Sequence, residues 1–248
     1  MNTTNFLIQT EHGIVKHDFA FALIEAIDFN RWFYKDKHMF PYTLTDKDLT
    51  QNCIPIGSVE FVSNYLNFFF NSTPKPINVP TELFKYAGRH IFNGTNKDFP
   101  NNDGKEYFVK DNDKIKSFTE RCRNNTLIQP GNYQISTVIE NILAEWRIFV
   151  YKKELVGIHY YLGDLGIFPD VEKINLMINE YTSSPIAYTL DVGIAAIDDN
   201  KTRETFVIEV HDFFSCGTYG FSDYNLLPWM FINWFNEYLS KNKEGENK

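Results

Sequence analysis

Apolar positions are grouped from Phe6 to Gln9 and then recur at helical spacing from Asp18 to Phe33, with Phe19, Leu23, Ala26, Ile27 and Phe33 on one stripe. That pattern predicts a short buried strand followed by an amphipathic helix. The order repeats at Ile54-Pro55-Ile56. This strand ends at Gly57-Ser58, and Ser58 can accept from the first turn of a helix carrying Val62, Tyr65, Leu66 and Phe69. Pro74, Pro76 and Pro80 fall among Ser, Thr and Asn residues between Asn71 and Pro80, which marks a linker and places a domain boundary near residue 80.

Beyond the linker the pattern shifts toward strands. They are expected at Glu106 to Lys110, Thr126 to Gln129, Glu145 to Tyr151 and Leu155 to Tyr161, the last two forming a hairpin through Lys152-Lys153-Glu154. A helix is predicted over Val171 to Tyr181. Strands follow at Ala187 to Ile197 and Glu204 to His211, around a turn at Asp198-Asp199-Asn200. An apolar helix, Leu227 to Leu239, closes the pattern, and the charged tail Lys241 to Lys248 is expected to fray.

Composition narrows the function classes. The 248 residues include 23 Phe, 14 Tyr and 4 Trp, so a sizeable core is available. With 24 basic and 32 acidic side chains the net charge is -8, which disfavours a nucleic-acid binder working through a basic face. The longest apolar run, Leu66 to Phe70, is broken by Asn67, so no membrane span is expected. The first ten residues lack a basic segment followed by an apolar stretch of about 7 to 15 residues, the mark of a secretory signal. Cys53, Cys122 and Cys216 are too few and scattered for a disulfide framework. A cytoplasmic protein is the expectation.

Side chains alternate faces along a strand, and three of the expected strands place ionisable groups together on one face. Glu145 shares a face with Arg147, Thr189 with Asp191, and Glu209 with His211. Charges in the middle of apolar strands are costly to desolvate unless they are paired or bind a metal, so their repetition points to one shared polar site. Asp191, Glu209 and Asp212, with His211 beside them, offer hard oxygen ligands of the kind Mg²⁺ takes; solvated strand edges or salt bridges to Arg147 are the simpler alternative for these acids. Lys110 ends the strand Tyr107-Phe108-Val109-Lys110 and could meet a phosphate as a point charge. Neither a GxxxxGK[ST] run nor a strand-linked GxGxxG occurs.

The ordered set Phe108-Val109-Lys110, Glu145-Trp146-Arg147-Ile148-Phe149-Val150, Leu190-Asp191-Val192-Gly193 and Ile208-Glu209-Val210-His211-Asp212 resembles the ATP-grasp superfamily, and more narrowly its R-two-K clade, over about residues 85 to 225. The resemblance implies an α+β ATP-grasp fold, two α+β lobes holding nucleotide between antiparallel sheets, over residues 81–248. Residues 1–80 would form a small α/β domain ahead of it. It implies an ATP-dependent ligase that joins a carboxylate to an amine, a peptide or protein terminus being one such substrate. Lys110 would contact the α/β-phosphates, with Lys116 or Arg121 covering the triphosphate, and the backbone at Leu127, Ile128, Gln129 and Pro130 would meet adenine. Arg147, beside Glu145, would face the γ-phosphate or acyl phosphate. Asp191 and Glu209 would hold Mg²⁺, with His211 and Asp212 completing the set.

Two departures from the family pattern stand out. His211 occupies the place where the superfamily usually has Asn, and Asp111 to Ser117 contains no glycine where larger members carry a glycine-rich flap. Two other readings therefore stay open. One is a nucleotide-binding module without ligation; the other is a PD-(D/E)xK-like nuclease with His in place of Lys. Cys216 has no readable His or Asn partner, so a thiol nucleophile is not expected.

Overall fold

The computed structural model describes residues 4–100, 104–124, 128–196 and 202–245. Contacts divide the chain into two units, one of Met1–Thr73, Pro185–Tyr188 and Asp212–Lys248, the other of Pro74–Ser184 and Thr189–His211. The first unit thus ends at the opening of the proline-rich stretch. Residues from Asp212 onward group with it, whereas the sequence pattern keeps them with 81–248.

In the first unit, β1 (Phe6–Gln9) is the central strand of a parallel sheet ordered β2-β1-β3, with β2 at Tyr42–Thr45 and β3 at Ile54–Ile56. Phe6, Leu7 and Ile8 are fully buried, as a central parallel strand requires. Helix α1 (Asp18–Tyr34) buries Phe19, Leu23, Ala26 and Ile27 as expected. Phe33 departs from the stripe and is 55% exposed. Asn30 closes the buried face instead, donating from Nδ2 to the carbonyls of Ala26 and Tyr224 at 2.7 and 2.6 Å. Helix α2 (Val59–Phe70) starts at Ser58, whose Oγ accepts the Phe61 N–H at 3.1 Å. Strand β2 escapes the sequence pattern because Thr43 and Leu44 are both exposed.

The second unit contains two four-stranded sheets. In the first, β4 (Ile91–Thr95), β5 (Tyr107–Asp111), β6 (Thr119–Cys122) and β7 (Asn132–Thr137) run in the order β4-β7-β5-β6, with antiparallel pairing throughout. Its core gathers Phe99, Tyr107, Val109, Ile128, Tyr133 and Ile135. In the second, β8 (Ile142–Tyr151), β9 (Glu154–Gly163), β10 (Ala187–Ala196) and β11 (Arg203–Asp212) run in the order β11-β10-β8-β9. The β8–β9 hairpin turns at Lys152 and Lys153, whose φ values of 51° and 64° fit the tight turn that matches strand twist. Helix α3 (Val171–Glu180) is capped by Asp170, which accepts the Lys173 N–H at 3.0 Å.

Some expectations shift. Ile128 and Gln129 are irregular, and the strand begins only at Asn132, after Pro130-Gly131 interrupts the chain; Thr126 and Leu127 lie outside the described residues. The turn expected at Asp198-Asp199-Asn200 lies outside them too. Helix α4 (Leu227–Gly245) runs six residues past the expected end at Leu239, supported by Lys241 bonding back to Glu237 at 3.1 Å. The three cysteines are buried and no disulfide joins them. No helix among the described residues is long and apolar enough to cross a membrane.

Candidate active site

Strand β10 is buried along its length except at Ala196, so an acid in its middle needs a partner. Asp191, 2% exposed, has one in Arg147 of β8, itself 5% exposed. Arg147 Nε donates to Oδ1 at 2.8 Å and Nη2 to Oδ2 at 2.7 Å, a bidentate fork. Burial acts to raise the Asp191 carboxyl, but the hydrogen bonds and charge of Arg147, with His211 nearby, outweigh it and hold the group at about 2. The salt-bridge alternative for Asp191 is therefore realised. The guanidinium also lies 5.7 Å from the Tyr161 ring centroid, and Arg147 pairs in register with His159 on β9.

Glu209 and His211 stand on the same face of β11, beside β10. Lys110, one residue before the end of β5 in the other sheet, sets its ammonium against Glu209 Oε2. His211 Nε2 lies 2.9 Å from Glu209 Oε1 and 3.4 Å from Asp191 Oδ2. No hydrogen bond of acceptable angle joins it to either, and the atom is sealed from solvent. Burial, with Arg147 and Lys110 nearby, lowers the imidazole pKa against the pull of Asp191, which favours the neutral ring.

One ligand atom from each of Asp191, Glu209 and His211 lies within 4.8 Å of the others. Two hard oxygens and one imidazole nitrogen fit a small divalent cation, and the nitrogen moves the preference from Mg²⁺ toward Mn²⁺. Nε2 is buried without a hydrogen-bond partner, and this is the observation that speaks for a cation there, since a bound cation would give it one.

Two residues grip β11 around this set. Arg89, just ahead of β4, donates to the carbonyls of Val207 and Ile208, both at 2.8 Å, and to Ser136 Oγ at 3.3 Å. Burial draws its pKa down to about 10. Burial, and then the charge of Arg89, draws Lys110 down to about 8, with Asp191 opposing. Asn78, in the proline-rich stretch, accepts the Val210 N–H on its carbonyl at 2.7 Å. Its Nδ2 donates to the Asp111 carbonyl at 3.0 Å and to Asn112 Oδ1 at 2.8 Å.

The sequence-predicted residues divide. Lys110, Arg147, Asp191, Glu209 and His211 converge, with half-buried Glu145 on the Arg147 face; burial and then Asp191 raise the Glu145 pKa. Asp212 does not join them. Alternation turns it to the opposite face from His211, and it belongs to the first unit, where Oδ1 accepts the Trp234 indole N–H at 2.9 Å. Ile128 is a core side chain, Gln129 and Pro130 are exposed, and Leu127 lies outside the described residues. Lys116 is exposed in the β5–β6 connection. There Asp111 does the organising that glycines do elsewhere: Oδ1 accepts the N–H groups of Asp113 and Lys114 at 2.7 and 3.1 Å, and Oδ2 accepts Ser117 Oγ at 2.5 Å. Cys216 Sγ, buried, points to the Phe213 carbonyl at 3.1 Å. Asn78 and Arg89 reach partners on β11 that lie over a hundred positions away, contacts that no local pattern reveals.

The family model described as ATP-grasp domain, R-two-K clade family 2, matches residues 86–227, more than half of the chain. Among solved structures, the chain is similar to N5-carboxyaminoimidazole synthetase from Staphylococcus aureus complexed with ADP, with TM-score 0.55 and 12% identity over 92% of this chain and 77% of that one. It is also similar to a RimK domain protein ATP-grasp from Sphaerobacter thermophilus DSM 20745, with TM-score 0.52 and 10% identity over 93% and 98%. D-alanine–D-alanine ligase from Bacillus anthracis gives TM-score 0.50 and 12% identity over 96% and 98%. At such identities the likeness is one of fold. No curated protein matches the chain.

Proposed function

The chain belongs to family 2 of the R-two-K clade of ATP-grasp domains, and from that premise we propose that it is an ATP-dependent carboxylate–amine ligase working through an acyl phosphate. The observation that supports this is the convergence of Lys110, Arg147, Asp191, Glu209 and His211. A carboxylate is a poor acyl donor. Its oxygen attacks the γ-phosphorus, the bond from that phosphorus to the β–γ bridging oxygen breaks, and ADP leaves. The amine nitrogen then attacks the acyl carbon, inorganic phosphate departs, and the nitrogen loses a proton.

Phosphoryl transfer of this kind depends on positioning and charge neutralisation, and no covalent protein nucleophile is needed. Arg147, its plane fixed by Asp191, meets a phosphate oxyanion without first having to be ordered. Lys110 supplies a second cation from the other sheet. Asp191, Glu209 and His211 would hold Mg²⁺, which when bound neutralises phosphate charge. The buried thiols, with no disulfide among them, suit the reducing cytoplasm, where ATP is abundant. Peptide or protein termini are the substrates we favour.

One observation favours a second reading, nucleotide binding without ligation: both acids are already paired with cations in this structure. The nuclease alternative is not carried forward, because the matching family is ATP-grasp. The test is a thermal-shift series with MgATP, MgADP and MgGTP, followed by measurement of ADP release. Stabilisation by MgATP together with ADP release that Asp191→Asn and Glu209→Gln abolish supports the ligase. Stabilisation without release under any carboxylate and amine mixture supports the second reading, and no stabilisation by any nucleotide overturns both.

A further inference from the structure

The first unit carries a cavity of its own. A cavity of about 480 Å³ lies between the start of α1 and the segment 218–224. That volume is within the usual range for small-molecule sites.

Its walls are fixed by hydrogen bonds. Asp18 Oδ2 accepts both the N–H and the hydroxyl of Thr218, at 2.8 and 2.9 Å, and Asn30 Nδ2 donates to the Tyr224 carbonyl at the other end of the segment. Asp18, Phe21, Ala22 and Glu25 follow the i, i+3, i+4, i+7 spacing of one helical face. The lining chemistry is asymmetric along that face. Lys16 and His17 stand at the N-terminal end and Glu25 two turns further along, with Phe21 between them on the helix; Phe221 and Tyr224 line the cavity from the segment 218–224. Phe21 is 60% exposed, an aromatic left to water at the mouth of a preformed hollow.

Magnitudes choose the ligand. Seven residues of helix, Asp18 to Glu25, rise about 10 Å. The ammonium and carboxylate of a single α-amino acid are too close together to span that. An extended peptide covers about 3.3–3.6 Å per residue, so two or three residues suffice. We infer that this cavity binds a zwitterionic peptide of two or three residues bearing an aromatic or large aliphatic side chain, with its ammonium at Glu25 and its carboxylate at Lys16. As the amine substrate of the ligase this rests on the proposed function; as a binding site it does not.

The experiment titrates the full chain, without nucleotide, with L-phenylalanine, Ala-Phe, Ala-Phe-Ala and the N-acetylated and C-amidated forms of the tripeptide, read by calorimetry and thermal shift. The two peptides should bind and the free amino acid should bind more weakly. N-acetylation and Glu25→Gln should each weaken Ala-Phe-Ala by about fivefold, and together by no more than either alone. C-amidation and Lys16→Met should show the same non-additivity. Glu25 and Lys16 are exposed, so both variants should fold, and the capped peptides test the same contacts on the unaltered protein. Absence of binding by every peptide, tighter binding of the free amino acid, or additive losses would overturn the assignment. Because nucleotide is absent, a failed ligase assay leaves this result standing, and failed peptide binding leaves nucleotide turnover untouched.

Discussion

The carbonyl of Asn78 accepts the N–H of Val210, the residue between Glu209 and His211, at 2.7 Å. The same residue reaches the opposite way with its amide to the carbonyl of Asp111, next to Lys110. One asparagine thus holds the strand that carries the lysine and the strand that carries its acid, and it does so at a φ of 55°, a conformation Asn tolerates better than most residues.

Asn78→Asp keeps the backbone preference but replaces the donor amide with a carboxylate facing two oxygens. We expect a stability loss of about 1–3 kcal/mol, the cost of unpaired buried polar groups, and MgATP affinity weakened beyond what Asn78→Gly causes. Urea unfolding and nucleotide titration of both variants check this. Equal nucleotide affinity in the two would reduce Asn78 to a backbone element.

The Arg147–Asp191 pair makes a different prediction. Arg147→Met leaves a carboxylate buried and unpaired, at a cost of about 3–5 kcal/mol. Adding Asp191→Leu removes that orphan charge, so the double variant should recover most of the stability while ADP release stays lost. Urea midpoints of the two single variants and the double variant decide it. A double variant as unstable as the singles would mean that the strand packing, not the charge, is at fault.

How much of this is legible in the sequence is clear from individual strands. Strands β8, β10 and β11 are ten residues long, and their apolar alternation brings Arg147, Asp191, Glu209 and His211 to one face from sequence alone. Strands β4, β6 and β7 are not legible. Ile91–Thr95 contains Asn and Gly, Thr119–Cys122 has three exposed polar positions, and Asn132–Thr137 follows a Pro-Gly pair, so sheet pairing overrides weak local preference in each. Asp212 groups with His211 by adjacency in sequence, and alternation is what separates them. The grips of Asn78 and Arg89 on β11 are long-range contacts, which no periodicity encodes.

Gly193 offers a packing test beside the acids. A Cβ there would meet the Phe206 ring at 2.5 Å, and Phe206 is 2% exposed. Gly193→Ala should cost about 1–3 kcal/mol by overpacking, and Phe206→Leu in the same chain should return part of it. Thermal and urea unfolding of the single and the double variant measure this. A neutral Gly193→Ala would show that the ring has room to move.

The last prediction concerns the imidazole. His211 Nε2 faces Glu209 and Asp191 at 2.9 and 3.4 Å without a hydrogen bond to either. A nitrogen in a donor set of oxygens favours Mn²⁺ over Mg²⁺, whereas an amide oxygen in its place favours the harder ion. His211→Asn should therefore improve Mg²⁺-supported nucleotide binding relative to Mn²⁺-supported binding, and His211→Ala should weaken both. The readout is stabilisation by each metal alone and by each metal with ADP, so turnover is not required. If the Mg²⁺/Mn²⁺ ratio is the same in the unaltered chain and in His211→Asn, the imidazole lies outside the coordination sphere. The metal would then rest on Asp191 and Glu209, each of which must give up part of its ion pair to bind it.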